Sequence, residues 1–203
     1  MTTKALIYDC EIIKAIPPNN NAPLLDGIDY CAGWGDHARM GVSVICAFDY
    51  DTDRYRVFCN DNFSEFESLL DRSHLAIGFN NIGFDDKLLL ASGIIRNAVS
   101  PPRYDILSEA WVAAGLSPTW GRAATHGGYG LNAICKATFG EGKTGDGANA
   151  AIAWQRGRIG EVIDYCLSDI RLTKGLFDRA LAGEPIRDPK TMQEIFLRKP
   201  ATN

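Results

Sequence analysis

The stretch Ala5 to Ile13, ALIYDCEII, is an almost continuous apolar run broken by two acids. A run this short, apolar at both alternating positions, reads as a strand buried on both faces and therefore as the centre of a sheet. Residues two apart on a strand share a face, so Asp9 and Glu11 point one way and Cys10 the other. A carboxylate in such a place is costly unless a counter-charge meets it or a proton neutralises it.

Outward from this strand, residues 17–40 (PPNNNAPLLDGIDYCAGWGDHARM) show no period and read as a long loop of the kind that serves function. GVSVICAFDY (41–50) and RYRVFC (54–59), parted by the polar Asp51-Thr52-Asp53, predict an antiparallel hairpin beside the first strand. Phe63 to Leu70 has helical spacing, and HLAIGFN from His74 predicts another buried strand. A short helix over Asp86–Ser92 follows, closed by Gly93. After Pro101 and Pro102, YDIL (104–107) is a fifth strand candidate. Helical patterns occupy 108–116 and LNAICKATFG (131–140), with the loop SPTWGRAATHGGYG (117–130) between them. Gly-rich EGKTGDG (141–147) precedes a long helix from about Ile159 to Leu181, and the tail beyond Arg187 carries a short helical pattern, TMQEIFLRK. This order predicts an α/β fold in which a mixed sheet is covered by helices.

Two more apolar segments carry acids. Asp85 ends GFNNIGFD (78–85), just after the second buried strand, at the start of a helix where backbone N–H groups favour negative charge. Tyr165 and Asp169 lie four apart in VIDYCLSDIRLTKGLF (162–177), on a helix face that continues through Val162, Leu172 and Leu176 and so turns toward the core. Singly, Asp9 reads as a strand-end acid, Asp85 as a helix N-cap and Tyr165 as a core tyrosine. Together they point to a shared counter-charge, and a hard divalent cation that prefers oxygen ligands is the simplest one.

The three motifs, DxE at Asp9 and Glu11, GFNNIGFD ending at Asp85, and YxxxD at Tyr165 and Asp169, resemble in kind and order those of the DEDD exonucleases of the ribonuclease H-like superfamily. The tyrosine resembles the DEDDy branch. The middle motif, with Asn80 separated by three residues from Phe84-Asp85, is similar to that of the proofreading domain of family B DNA polymerases. The resemblance spans about residues 4–178. It implies a ribonuclease H-like α/β fold with a mixed five-stranded sheet, order 3-2-1-4-5, flanked by helices. It also implies two divalent ions, Mg²⁺ or Mn²⁺, and release of nucleoside 5′-monophosphates from single-stranded 3′ ends, DNA favoured and RNA open. Asp9 would bridge both ions, Glu11 and Asp169 would complete one site, and Asp85 would hold the other largely through water. Tyr165 would orient the attacking water, and Asn80 would contact the strand or brace the site. Two ions roughly 4 Å apart can clamp the attacking and leaving oxygens of an in-line displacement. A binding module that has lost catalysis, a structure-specific endonuclease and another phosphoesterase are the rival readings.

Other residues invite weaker expectations. Asp86 reads as a solvated first-turn acid, Asp105 as a strand-end acid, Asp164 as exposed and His126 as a loop residue. EGKTGDG lacks the GxxxxGK[ST] spacing of a nucleotide-binding loop, although Lys143 within it is a candidate to meet a substrate phosphate. Trp34, Trp120, Tyr129 and Trp154 sit in or beside loops, where aromatics can stack on unpaired bases; core burial is the default for each tryptophan.

With 203 residues and 46% hydrophobic content, the chain has material for one core, so a single domain is expected over 1–203, with its core at about 4–182 and a tail at 183–203. A formal net charge of −4 argues against affinity for nucleic acid through bulk electrostatics, while leaving room for a local grip on a strand. The six cysteines form no CxxC pair and no ligand-like spacing with the three histidines, which fits a reduced setting. No basic N-terminal segment leads into an apolar run with a cleavage site, and no apolar run approaches the roughly 20 residues of a membrane span. A cytoplasmic location is expected.

Overall fold

The computed structural model describes residues 4–18, 22–143 and 147–200. Residues 19–21 of the long loop and 144–146 of EGKTGDG lie outside the described residues. In chain order the elements are β1 (Ala5–Ile12), α1 (His37–Met40), β2 (Val42–Asp49), β3 (Arg54–Phe58), α2 (Phe63–Asp71), β4 (Leu75–Gly78), α3 (Asp85–Ala91) and β5 (Arg103–Asp105). They continue with α4 (Ile106–Ala113), α5 (Ala123–His126), α6 (Leu131–Phe139), α7 (Ala150–Gln155), α8 (Ile159–Ala182), β6 (Ile186–Arg187) and β7 (Glu194–Ile195).

The main sheet has five strands in the order β3-β2-β1-β4-β5, as expected. β1 pairs antiparallel with β2 and parallel with β4, which places ALIYDCEII at the centre. Alternation along β1 divides the core into two layers. Ala5 and Ile7 join Val44, Cys46 and Phe48 of β2 in the layer that packs on α4, α6 and α8. Leu6, Tyr8 and Cys10 join Ile45 and Ala47 in the layer on α2 and α3. Asp9 and Glu11 continue the first series and therefore face α8. Among the described residues, no helix is long and apolar enough to cross a membrane.

Three local outcomes differ from expectation. The fifth strand stops at Asp105, because its side chain accepts the Leu107 and Ser108 N–H groups and starts α4 at Ile106. The tail is a hairpin rather than a helix: Asp188 Oδ1 accepts from Lys190 N (2.7 Å) and Thr191 N (3.2 Å), bending the chain so that β6 meets β7. Ile186 and Leu197 then bury in the α8 layer. Asp86 is not solvated. It is 3% exposed, accepts the Tyr8 hydroxyl and pairs with Arg103 Nε at 3.0 Å. Both acids of the first turn of α3 are enclosed, Asp85 against β1 and Asp86 by Tyr8 and Arg103.

Candidate active site

β4 pairs with β1 only along Ala5–Ile7, so Asp9, Cys10 and Glu11 project past the end of their parallel neighbour. The space beyond β4 is filled by the turn from Gly78 to Asp85. This turn needs glycine at its start, since a Cβ on Gly78 would lie 2.5 Å from Asn81 Cβ. Asn80 adopts a left-handed backbone (φ 66°), a conformation asparagine tolerates better than most residues. Asp105 braces it, Oδ1 accepting from Asn80 N at 2.9 Å and Oδ2 from Ile82 N at 3.3 Å. Asp105 is thus more than a strand-end acid, since it ties the middle motif to α4. Asp85 lands against β1, where its Oδ1 accepts the Cys10 N–H at 3.1 Å that no strand pairs.

From the other side, α8 brings Tyr165, Cys166 and Asp169 over the same strand end. Asp9, Glu11, Asp85, Tyr165, Asp169, Asn80 and Lys143 all line one cavity of about 370 Å³, which is also lined by Ile16 and by Pro17, Pro18 and Trp34 of the long loop. Every site residue expected from the sequence is therefore brought to one place. Trp34, 64% exposed, stands edge-on to Phe84 with ring centroids 5.8 Å apart.

The electrostatics of this cavity are strongly one-sided. Burial and the adjacent Asp169 push the Asp9 carboxyl up to about 7. Burial and the neighbouring acids hold Glu11 and Asp85 well above the usual carboxylate range. Burial also raises Asp169, against the pull of Lys143. Lys143 reaches into the cluster, its Nζ donating to Tyr165 Oη at 2.9 Å and pairing with Asp169 Oδ2. Burial works against its ammonium, and the fields of Asp169 and Asp9 outweigh that, keeping it charged. Burial lifts the Tyr165 phenol above its ordinary value, so it remains a donor at neutral pH.

One ammonium facing four carboxylates leaves a deficit of positive charge. The other Asp169 oxygen, Oδ1, is buried without a hydrogen-bond partner among the described residues. Such an atom carries a desolvation cost that a bound cation removes. The oxygen-rich donor set suits a hard divalent ion. Donor atoms of Asp9, Glu11 and Cys166 lie within 4.8 Å of one another, a cluster that could hold a metal ion. The three sequence motifs do not include Cys166, although it lies three residues before Asp169 on the same helix face. Its Sγ donates to Asp9 O (3.5 Å) and Oδ2 (3.6 Å), and burial keeps the thiol protonated, so it supports Asp9 as a donor and not as a thiolate.

If Lys143 stands in for cationic charge, Lys143→Met lowers the melting temperature in EDTA at pH 8, and excess Mg²⁺ or Mn²⁺ restores most of the loss. A loss of roughly 1–3 kcal/mol is the scale for uncovering a partly buried acid. Persistence of the whole deficit in saturating metal would show that the lysine is a packing element instead.

Asp164 is exposed, as expected. His126 is not in a loop but closes α5, 6% exposed, its ring 4.9 Å from that of Trp111. Tyr129 is buried and Trp154 packs against the core, whereas Trp34 and Trp120 depart from the default by remaining 64% and 60% exposed.

No protein-family model matches the chain, and no curated protein matches it in sequence. In structure it is similar to a family B DNA polymerase from the hyperthermophilic archaeon Pyrobaculum calidifontis, with a TM-score of 0.58 over 87% of this chain at 16% identity. The fold is ribonuclease H-like. The chain spans about a quarter of that polymerase, covering 24% of its length. In this ribonuclease H-like sheet the carboxylates gather at the C-terminal end of the central strand, the edge at which open α/β sheets bind ligands.

Proposed function

We propose that the protein is a DEDDy-type, metal-dependent 3′-to-5′ exonuclease that removes nucleoside 5′-monophosphates from single-stranded ends, with DNA preferred over RNA. The observation that carries this reading is the convergence of Asp9, Glu11, Asp85 and Asp169 from three separate segments on one cavity, together with Tyr165. Their raised proton affinities mark a site incomplete without added positive charge. The polymerase of like fold adds a context of DNA chemistry.

Mg²⁺ or Mn²⁺ held by Asp9, Glu11, Asp85 and Asp169 would supply Lewis-acid stabilisation of the charge that builds on phosphate oxygens. The chain's own groups do the positioning. Tyr165, protonated at neutral pH, donates a hydrogen bond that orients the attacking water rather than removing its proton. Lys143 presents its ammonium to the scissile phosphate once its partner Asp169 is engaged elsewhere. Asn80 lies at the rim, where it contacts the strand, and Trp34 with Phe84 offers a face on which the terminal base stacks. Attack of water breaks the P–O3′ bond, leaving the phosphate on the released nucleotide and a new 3′-hydroxyl on the strand.

Chromatography of the products from single-stranded DNA and RNA of one sequence tests this. Nucleoside 5′-monophosphates from the first turnover onward are expected, with the two initial rates giving the sugar preference; internal fragments or 3′-monophosphates would contradict it. Tyr165→Phe should reduce kcat roughly 10- to 100-fold, the value of a hydrogen bond to a charged or charge-developing group, with metal affinity unchanged. A variant as fast as the parent would remove Tyr165 from the mechanism.

A further inference from the structure

A second cleft of about 700 Å³, between the middle-motif turn, α4 and α5, shares Asn80 with the carboxylate cavity as a lining residue. Its floor is aromatic. Trp111 and His126 are buried and perpendicular, and Trp120 tilts over both, with ring centroids 6.1 and 6.0 Å away. The rim carries Trp120 and Ile82, 60% and 49% exposed. Large side chains left in solvent in this way, grouped around a concavity, mark a surface that something covers.

Trp120 stays out on a loop that is tied down. Nε2 of His126 donates to the Ser117 carbonyl at 3.1 Å, and Ser108 Oγ donates to the Pro118 carbonyl at 2.8 Å. Gly121 sits so close to His126 that a Cβ there would lie 2.8 Å from the imidazole Cε1. The platform is therefore preorganised, which limits the ordering cost of binding. Most of the polar groups around it are committed to the protein itself. Asp105 accepts backbone N–H groups, Trp111 Nε1 donates to the His126 carbonyl, and Tyr129 donates to Asp188. What the cleft offers is ring faces, with few free edges for hydrogen bonding. Lys87, on the same wall, makes no ion pair or hydrogen bond among the described residues.

We propose that this cleft binds an unpaired base of the same single strand whose 3′ end lies among the carboxylates, stacked on Trp120, with Lys87 against a backbone phosphate. The inference rests on the nuclease reading above. A single strand is the occupant that fits, because the cleft adjoins the carboxylate cavity at Asn80 and because aromatic faces beside the Lys87 cation match the alternation of bases and phosphates. Committed polar edges make the contact indifferent to base identity, since every base presents a π face. A strand anchored at two places also explains how a chain of net charge −4 can hold a polyanion.

The test compares turnover of single-stranded oligonucleotides of increasing length, from dinucleotide to octanucleotide, by the parent protein, Trp120→Ala and Trp120→Phe. The ratio of kcat/KM for the octanucleotide to that for the dinucleotide should fall roughly tenfold in Trp120→Ala and recover in Trp120→Phe, whatever the base sequence. An unchanged ratio overturns the proposal. Anisotropy of a labelled octanucleotide in EDTA separates this from the nuclease reading. If the parent cuts nothing but binds, the nuclease reading fails, and weaker binding by Trp120→Ala still supports the cleft while equal binding overturns it. A parent that neither cuts nor binds ends both.

Discussion

Asp9→Asn should abolish hydrolysis and yet make the metal-free protein more stable at neutral pH. The loss of rate should be roughly 10³-fold or more, equivalent to about 4 kcal/mol of transition-state charge stabilisation. The gain in stability follows from linkage. The Asp9 carboxyl titrates at about 7 in the folded state against an ordinary 3.8, because burial and Asp169 disfavour its charge. The folded state thus holds this proton more tightly than the unfolded chain does. Its contribution is complete below about pH 4 and is lost as pH rises through about 7. Above that, folding must tolerate a carboxylate among carboxylates, and the neutral amide removes the penalty while still accepting from Cys166. Thermal unfolding in EDTA at pH 8 should show Asp9→Asn higher by about 2 kcal/mol, or roughly 4–8 °C, with the gap closing toward pH 4. Mn²⁺ should raise the parent and barely move the variant. A variant less stable than the parent at pH 8 in EDTA would mean that the cluster is not electrostatically strained.

Arg103→Met should be the most destabilising charge substitution in the protein, at about 3–5 kcal/mol. Both side chains of the Arg103–Asp86 pair are 4% exposed. The same aspartate accepts the Tyr8 hydroxyl, and Asn81 Nδ2 donates to that hydroxyl at 3.3 Å. Burial lifts the Asp86 carboxyl, and Tyr8 and Arg103 oppose it, so removing the guanidinium strands an acid in the apolar layer on α2 and α3. The exposed pair Arg158–Glu161, with side chains 46% and 61% exposed, provides the contrast: Arg158→Ala should cost under about 1 kcal/mol. Chemical denaturation of both variants measures the difference directly. Asp86→Asn combined with Arg103→Met should lose less than the sum of the two changes, since neither then leaves a charge unpaired. Because Asp86 adjoins Asp85, activity should fall with Arg103→Met even where the fold survives. Similar small losses for Arg103→Met and Arg158→Ala would refute the network's structural role.

Strict periodicity explains what the sequence disclosed. The period of two put Asp9 and Glu11 on one face of β1, and the four-residue spacing of α8 put Tyr165 and Asp169 on the face turned toward it. The buried network on the opposite side was not legible, because nothing local in AspAsp distinguishes an acid that meets Arg103 across the fold from one that meets water. The tail misled for a different reason. TMQEIFLRK has a helical pattern of apolar residues, but Asp188 bends the preceding chain and Ile186 and Leu197 find more burial as flanks of a hairpin. Helices as short as α1, α5 and α7 offer too few turns for a period to register. The exposure of Trp120 depends on ties from Ser108 and His126 that only the folded chain brings near.

The most direct test of the account is a time course on a 5′-labelled single-stranded oligonucleotide with Mg²⁺, Mn²⁺ or EDTA, run beside Asp9→Asn. A ladder that shortens one nucleotide at a time from the 3′ end is expected, only with metal and only in the parent. An intact strand under every condition, or cleavage that begins internally or persists in Asp9→Asn, would contradict it.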